Sequence, residues 1–448
     1  MENTGQNRAS GGSGTASPGN SLDAGERAVP GGPLLLRPED HLRRWFQIAA
    51  TALGVCSVVA AQTLMEVPGW SRLGIISVLG LLVVLGVGRM VGAVQFSVGR
   101  WIVLPFAFLA YSMIRSVPVE GEAWEFDQML QVISAFLLGL GIALALESTM
   151  PFRWLAYAQV ISSYASIIGG FFSAGSETES RYSGLVGNAN EFALQLNLGA
   201  VLVWLFPKKS GWAACVLSLI AAVYGVATSG SRNALVILPL LLLICFVQVL
   251  TEIKRHRGLV LFGVATLGLA LCFVVAILSP ILLEQASHIT AVKRMIDLND
   301  SSFDKRSAMI RTAIRLWQES PIFGNGSVAF VRHGGFGGYS HNNYVELLCN
   351  MGVVGLCLYY AAHICILFQG WWLPLSLRLM CWGGVLINLA SDNSIVSYDR
   401  KQTMLLLMVM VSLAARCQIP RWTSAPATPR RAPWPGDTVV EPLSVPRS

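Results

Sequence analysis

Residues 233–250 read NALVILPLLLLICFVQVL, a run of eighteen residues without a charged side chain. A helix of that length rises about 27 Å, close to the roughly 30 Å thickness of the hydrocarbon core of a bilayer. Comparable windows recur from Phe46 onwards, and 54% of the chain is hydrophobic while only 13% is charged. Soluble domains are roughly a quarter charged. The sequence therefore predicts an all-α polytopic membrane protein.

About twelve transmembrane helices are predicted, and they lie within a transmembrane domain at 43–418. A disordered cytoplasmic tail at 1–42 precedes it and a flexible cytoplasmic tail at 419–448 follows. Basic residues such as Arg43 and Arg44 fall on one side of the spans, and the acidic stretch PVEGEAWEFD on the other, which places both termini in the cytoplasm. The candidate spans are 46–64, 73–93, 101–116, 128–147, 154–173, 190–206, 211–228, 233–250, 259–282, 343–369, 374–391 and 402–416.

Charge, cysteine and histidine patterns argue against a nucleic-acid partner, a disulfide framework and a metal site. The net charge is +7, but the basic residues are scattered between apolar segments, so nucleic acid is not a predicted partner. The nine cysteines contain no CxxC pair, and no HxH or HExxH motif is present. We therefore predict neither a disulfide framework nor a metal site.

One large loop, 284–342, is predicted on the outer side between the ninth and tenth spans. It carries seven Lys or Arg against five acids, and this excess of positive charge suits an anionic ligand. The alternative is that the loop is simply too long for the positive-inside rule to apply to it. Residues 304–319 have the pattern of an amphipathic helix, with Met309 or Ile310, Ala313, Ile314 and Trp317 on its apolar face.

Several outward arginines are candidates for binding a diphosphate. Arg311 and Arg315 are one helical turn apart, so both guanidinium groups can face the same ligand. Arg181 precedes a Gly and Asn turn that opens the sixth span, and Arg232 follows SGS at the start of the eighth. Helix N-termini attract anions, so these positions are suitable for diphosphate. Either arginine alone could also be an interfacial anchor that fixes the depth of its helix.

His341 is the candidate catalytic residue, because it ends the outer loop just before a span in the stretch SHNN. A neutral imidazole at this position can accept a proton from a hydroxyl group. The alternative is a capping role for the stretch, since Asn is favoured at helix N-caps. HGGFGG upstream suits a flexible lid, and Glu346 and Asn350 place polar groups on one face of the tenth span.

Four motifs together resemble the O-antigen ligase and polymerase superfamily of bacterial membrane glycosyltransferases: RYSGLVGNANEFA, TSGSRNAL, RLWQESPIFGNG and SHNNYVELLCNMGVVG. The resemblance covers roughly 180–360. It departs from the family pattern at Ala189, where many relatives have proline, and at Asn233, where glycine is common. It implies a GT-C-like fold in the bacterial inner membrane with its active face towards the periplasm.

The resemblance also implies a reaction and roles for residues. The donor is a glycan on undecaprenyl diphosphate, the acceptor hydroxyl belongs to another glycan or to lipid A core, and no cofactor or metal is needed. His341 falls on the catalytic histidine, and Arg181 and Arg232 fall on diphosphate-binding arginines; Arg311 and Arg315 are placed less securely. From their positions beside these residues in the sequence, and not from the resemblance, the candidates for supporting polar residues are Asn188, Asn190, Asn342, Asn343 and Glu346.

The sequence leaves alternatives open. A ligase and a repeat-unit polymerase share the donor chemistry and differ only in acceptor, and a family alternative gives His341 a positioning role instead of a base role. Alternative functions of other classes are a polytopic transporter, a lipid-linked glycan flippase and a structural subunit of an export complex. Each of these would also be a multi-pass protein in contact with membrane lipid. Transporters tend to show internal repeats and charges inside their spans, and neither is evident here.

Overall fold

The computed structural model describes residues 38–63, 71–116, 123–173, 182–186, 188–252 and 301–416. Arg181, the predicted ninth span and both predicted tails beyond these ranges lie outside the described residues. Within the ranges the chain is helical and forms no β-strand. The helices are α1 (Pro38–Thr63), α2 (Ser71–Met90), α3 (Val103–Arg115), α4 (Ala123–Ser148), α5 (Phe152–Ser173), α6 (Ala189–Trp204), α7 (Pro207–Ser210), α8 (Trp212–Ser229), α9 (Arg232–Glu252), α10 (Ser301–Glu319), α11 (Ala329–His333), α12 (Asn343–Gly370), α13 (Leu375–Ser391) and α14 (Lys401–Arg416).

Seven of the described helices are long and apolar enough to cross a membrane: α1, α2, α4, α5, α8, α9 and α12. Two shorter apolar helices are α13 and α14. Large apolar side chains on the outside of these helices are exposed, among them Ile76, Val83, Ile161 and Phe368. Such a surface fits a lipid environment. The prediction of an all-helical polytopic membrane protein is confirmed, while the count of twelve spans stays a prediction.

Helix α6 lies at the centre of the bundle, where every one of its residues except Gln195 is buried. It contacts α5, α8, α9, α13 and α14. A helix surrounded on all sides is expected to be apolar throughout, yet α6 carries Asn190, Glu191 and Asn197 among its buried residues. Polar groups in such a position need partners or a polar cavity.

Helix α12 is interrupted at Gly352, which has φ 65° and ψ −169°. The loop after α10 occupies the break: Val353 N donates to Pro321 O at 3.0 Å and Val354 N donates to Ile322 O at 3.1 Å. On the other side of the break, Asn325 N donates to Cys349 O at 2.9 Å. The stretch SPIFGNG therefore supplies partners for the backbone groups that the interrupted helix cannot pair internally.

Helix α10 packs against the first half of α12 through Met309, Ala313 and Leu316, which join a small core with Phe330 and Cys349. The predicted amphipathic helix is confirmed, and Met309 and Ala313 lie on its buried face as expected. The prediction for Ile314 is wrong, because this side chain is 38% exposed. Leu316 takes its place, since the buried stripe follows the spacing i, i+4, i+7.

Hydrogen bonds bring several helix ends together at one end of the bundle. Gln195 at the start of α6 donates to the backbone oxygen of Gln62 near the end of α1, at 3.4 Å. Asn343 N at the start of α12 donates to Asp392 O, just beyond α13, at 2.7 Å. The candidate site lies at this end.

Candidate functional site

His341 occupies a strained backbone position immediately before α12. Its φ of 57° is the one positive value outside glycine among the described residues. Left-handed backbone costs an L-residue roughly 1–2 kcal/mol, and such residues cluster at functional sites, where the surrounding structure holds them in place.

Two hydrogen-bonded neighbours hold that conformation. Asn342 is the N-cap of α12, and its Oδ1 accepts from Tyr344 N at 3.1 Å and Val345 N at 3.2 Å. Ser340 N donates to Glu346 Oε2 at 2.6 Å, and Glu346 is only 2% exposed. His341 is therefore pinned between two fixed residues, and the predicted capping role belongs to Asn342.

Asn343 fastens the start of α12 to the loop between α13 and α14. Its Oδ1 accepts from Ser397 N at 2.9 Å, and its Nδ2 donates to Tyr360 Oη at 3.1 Å. The Tyr360 hydroxyl in turn donates to Asp392 Oδ2 at 2.7 Å. Asn343 is fully buried, so this amide acts on the position of the His341 segment and not on a ligand.

The imidazole of His341 is kept uncharged by its surroundings. Burial lowers its pKa to about 4, helped by the positive charges of Arg306, Lys305 and Arg400. The ring lies against Tyr339, with 4.4 Å between the ring centroids. Its Nδ1 is buried and has no hydrogen-bond partner among the described residues. A neutral imidazole can accept a proton from a hydroxyl group that reaches one of its ring nitrogens.

Tyr339 connects His341 to a charged pair that sequence reasoning missed. Its hydroxyl donates to Glu191 Oε1 at 2.7 Å and accepts from Asn188 Nδ2 at 2.8 Å. Arg400 Nη2 contacts the same Glu191 Oε1 at 2.7 Å, and its guanidinium lies 5.7 Å from the Tyr339 ring centroid. Burial raises the pKa of the Tyr339 hydroxyl, and the charge of Glu191 raises it further. This hydroxyl stays protonated and holds the loop against α6 and α14.

A cavity of about 340 Å³ lies beside this network, between α1, α2, α4, α6 and α14. It is lined by charged, amide, hydroxyl and aliphatic side chains: Ala61, Gln62, Ile75, Asp127, Leu130, Gln131, Ser134, Val186, Glu191, Gln195, Leu198, Ile395, Asp399, Arg400, Lys401, Gln402 and Thr403. A narrow apolar cleft formed by Val78, Leu79 and Leu137 shares Ile75 and Lys401 with it. The sequence signal for this cavity was the charged run at 399–401 between two apolar spans.

The structure brings some of the predicted site residues together and leaves others apart. Asn188 caps α6 by accepting from Asn190 N at 3.0 Å, so both support the turn that carries Glu191. Arg232 begins α9 and is half-buried. Its neighbour Asn233 donates to Ala390 O at 3.0 Å, which joins this helix start to the same end of the bundle.

Arg311 and Arg315 lie on the exposed face of α10. The cations of this helix that help to lower the pKa of His341 are Arg306 and Lys305. Among the described residues, no group of three or more His, Cys, Asp and Glu has the arrangement to hold a metal ion.

Residues 213–360 match the family model described as O-Antigen ligase. The matched segment runs from α8 into α12 and contains Arg232, Arg311, Arg315 and His341. The match confirms the resemblance to the O-antigen ligase and polymerase superfamily. No curated protein matches the chain.

Proposed function

We propose that this O-antigen ligase-like membrane protein transfers a glycan from undecaprenyl diphosphate to an acceptor hydroxyl, with His341 as the base. The observation that carries the proposal is the uncharged His341, held in a strained backbone conformation against the ring of Tyr339. Glu191 and Arg400, which contact Tyr339, line a polar cavity at one end of the helix bundle. The site belongs, in this proposal, to the periplasmic face of the bacterial inner membrane, with both termini in the cytoplasm.

The chemistry is a single displacement at the anomeric carbon. The acceptor oxygen forms its bond to that carbon while its proton passes to the imidazole of His341. The bond between the anomeric carbon and the diphosphate oxygen breaks, and the lipid diphosphate leaves with the electron pair. Because burial keeps His341 uncharged at neutral pH, its imidazole has a lone pair that can accept the proton.

Negative charge develops on the leaving diphosphate, and cations positioned there stabilise the transition state. Arg232 at the start of α9 has this role in the proposal, together with Arg181. Lys305 and Arg306 add positive potential near His341.

The test uses the full chain purified in detergent, supplied with a lipid-linked glycan and a candidate acceptor, with release of undecaprenyl diphosphate as the readout. A glycosyltransferase releases the lipid diphosphate and extends the acceptor. A transporter or flippase releases none, because a micelle has no second side and no bond is broken; that result would overturn the proposal. Lipid A core as acceptor tests a ligase, and a second lipid-linked repeat unit tests a polymerase.

A further inference from the structure

Three buried glutamines meet at the wall of the cavity. Gln62 Nε2 donates to Gln159 Oε1 at 3.0 Å and also to Gln402 Oε1. Gln62 is 6% exposed and Gln402 is 5% exposed, and both line the cavity. The amide nitrogen of Gln62 therefore donates to both neighbours, while its side-chain carbonyl oxygen has no hydrogen-bond partner among the described residues.

Three of the residues that line the cavity carry a polar side-chain atom without a hydrogen-bond partner in the described part of the chain. Gln62 Oε1, Gln402 Nε2 and Thr403 Oγ1 are buried and have no hydrogen-bond partner among the described residues. Thr403 is 1% exposed and also lines the cavity. Buried polar atoms of native proteins are almost always hydrogen-bonded, so these three are candidates to bind a ligand.

The charges of the cavity argue against a phosphate at this position. Asp127, Glu191 and Asp399 line it together with Arg400 and Lys401. Arg400 is already engaged, since its Nη2 lies 2.7 Å from Glu191 Oε1 and its Nε lies 3.4 Å from Asp399 Oδ1. A phosphate only accepts hydrogen bonds, so it could not satisfy a carbonyl oxygen and would be repelled by the carboxylates.

We propose that this cavity binds an uncharged, hydroxyl-rich sugar residue. A sugar carries several hydroxyl groups that both donate and accept, so it can pair with an acceptor such as Gln62 Oε1 and with a donor such as Gln402 Nε2 or Thr403 Oγ1. Aliphatic side chains such as Leu198 and Ile395 complete the wall. The volume of about 340 Å³ lies within the range of roughly 300–1,000 Å³ typical of small-ligand pockets. The proposal rests on the proposed function, and the sugar belongs either to the donor or to the acceptor glycan.

The first experiment measures binding without turnover. Saturation-transfer NMR on the full chain in detergent uses glucose, galactose, mannose and N-acetylglucosamine as probes, with inorganic pyrophosphate measured separately. Thr403→Val keeps the shape and removes the hydroxyl, and Gln402→Met removes the amide. We expect at least one sugar to give a signal that weakens about threefold or more in both variants.

The matched control is Thr251→Val, at the far end of α9, whose hydroxyl donates to Gln248 O at 2.8 Å. It should leave the sugar signal unchanged. The proposal is overturned if no sugar gives a signal with the wild-type chain, or if the signal is equal in all variants. Binding of pyrophosphate that is lost in Thr403→Val would overturn it as well.

The second experiment separates the two sources of the sugar. In the transfer assay, Thr403→Val should raise KM about three- to tenfold for one substrate: for the lipid-linked donor if the cavity holds the donor sugar, or for the acceptor if it holds the acceptor sugar. An unchanged KM for both would contradict the proposal. Because sugar binding is measured without transfer, a chain that binds sugar but transfers none refutes the proposed function alone.

Discussion

Gly352→Ala tests whether the loop after α10 fixes the interruption of α12. An alanine Cβ at this position would lie 2.3 Å from Ile322 O and 2.5 Å from Gly324 N. Both neighbours are backbone atoms, so the loop itself must move. The φ of 65° adds roughly 1–2 kcal/mol of strain for a residue with a side chain.

The magnitude follows from what the movement breaks. The hydrogen bonds from Val353 N to Pro321 O and from Val354 N to Ile322 O would be lost, each worth about 0.5–1.5 kcal/mol. With the backbone strain, the variant should lose roughly 2–5 kcal/mol of stability. Thermal and denaturant unfolding of the purified chain, followed by tryptophan fluorescence, measures the loss.

Gly335→Ala is the matched control. Gly335 has a similar φ of 74°, but an added Cβ would meet nothing within 4 Å. It should therefore lose only the strain contribution of roughly 1–2 kcal/mol. Equal destabilisation by Gly352→Ala and Gly335→Ala would refute the interlock between the loop and α12.

Three further predictions concern the site. His341→Gly should be more stable than His341→Ala by about 1–2 kcal/mol and should therefore have the higher Tm, because glycine adopts φ 57° without strain; equal Tm values would contradict the strain. The transfer rate should stay level as pH falls from 8 to 5 and drop only near pH 4, where His341 gains its proton; a drop centred near pH 6.5 would refute the shifted pKa. Glu191→Gln should cost about 1–3 kcal/mol in unfolding measurements, since it removes the charge that pairs with Arg400; an unchanged Tm would show that the pair is not stabilising.

The positions of the apolar helices were predictable because local hydropathy marks them. Eleven of the twelve predicted spans overlap described helices, and the remaining one, 259–282, lies outside the described residues. The stretch SHNN likewise predicted the start of a helix, and Asn342 is the N-cap of that helix. These features depend on residues close together in sequence.

The network around Tyr339 could not be predicted, because its members are far apart in the chain. Tyr339 and Glu191 are separated by 148 positions, and Arg400 and Glu191 by 209. Spacing in sequence carries no information on such pairs. The spacing of Arg311 and Arg315 predicted that they share one face of a helix. Whether that face is exposed could not be predicted, because it depends on how α10 packs against the rest of the chain.

The interruption of α12 was also hidden, because NMGVVG reads as part of a continuous apolar run. A single Gly within a helical pattern is usually tolerated. What breaks the helix at Gly352 is the approach of the loop that carries Gly324, a tertiary contact that local propensity does not contain.

The most direct test of the central claim is the transfer rate of His341→Ala beside that of His333→Ala. Both histidines lie in the same segment, but His333 is exposed at the end of α11. We predict that His341→Ala folds and loses about 100-fold or more of the release of undecaprenyl diphosphate, as expected when a general base is removed. His333→Ala should keep the wild-type rate. Full turnover by folded His341→Ala would contradict the assignment of His341 as the base.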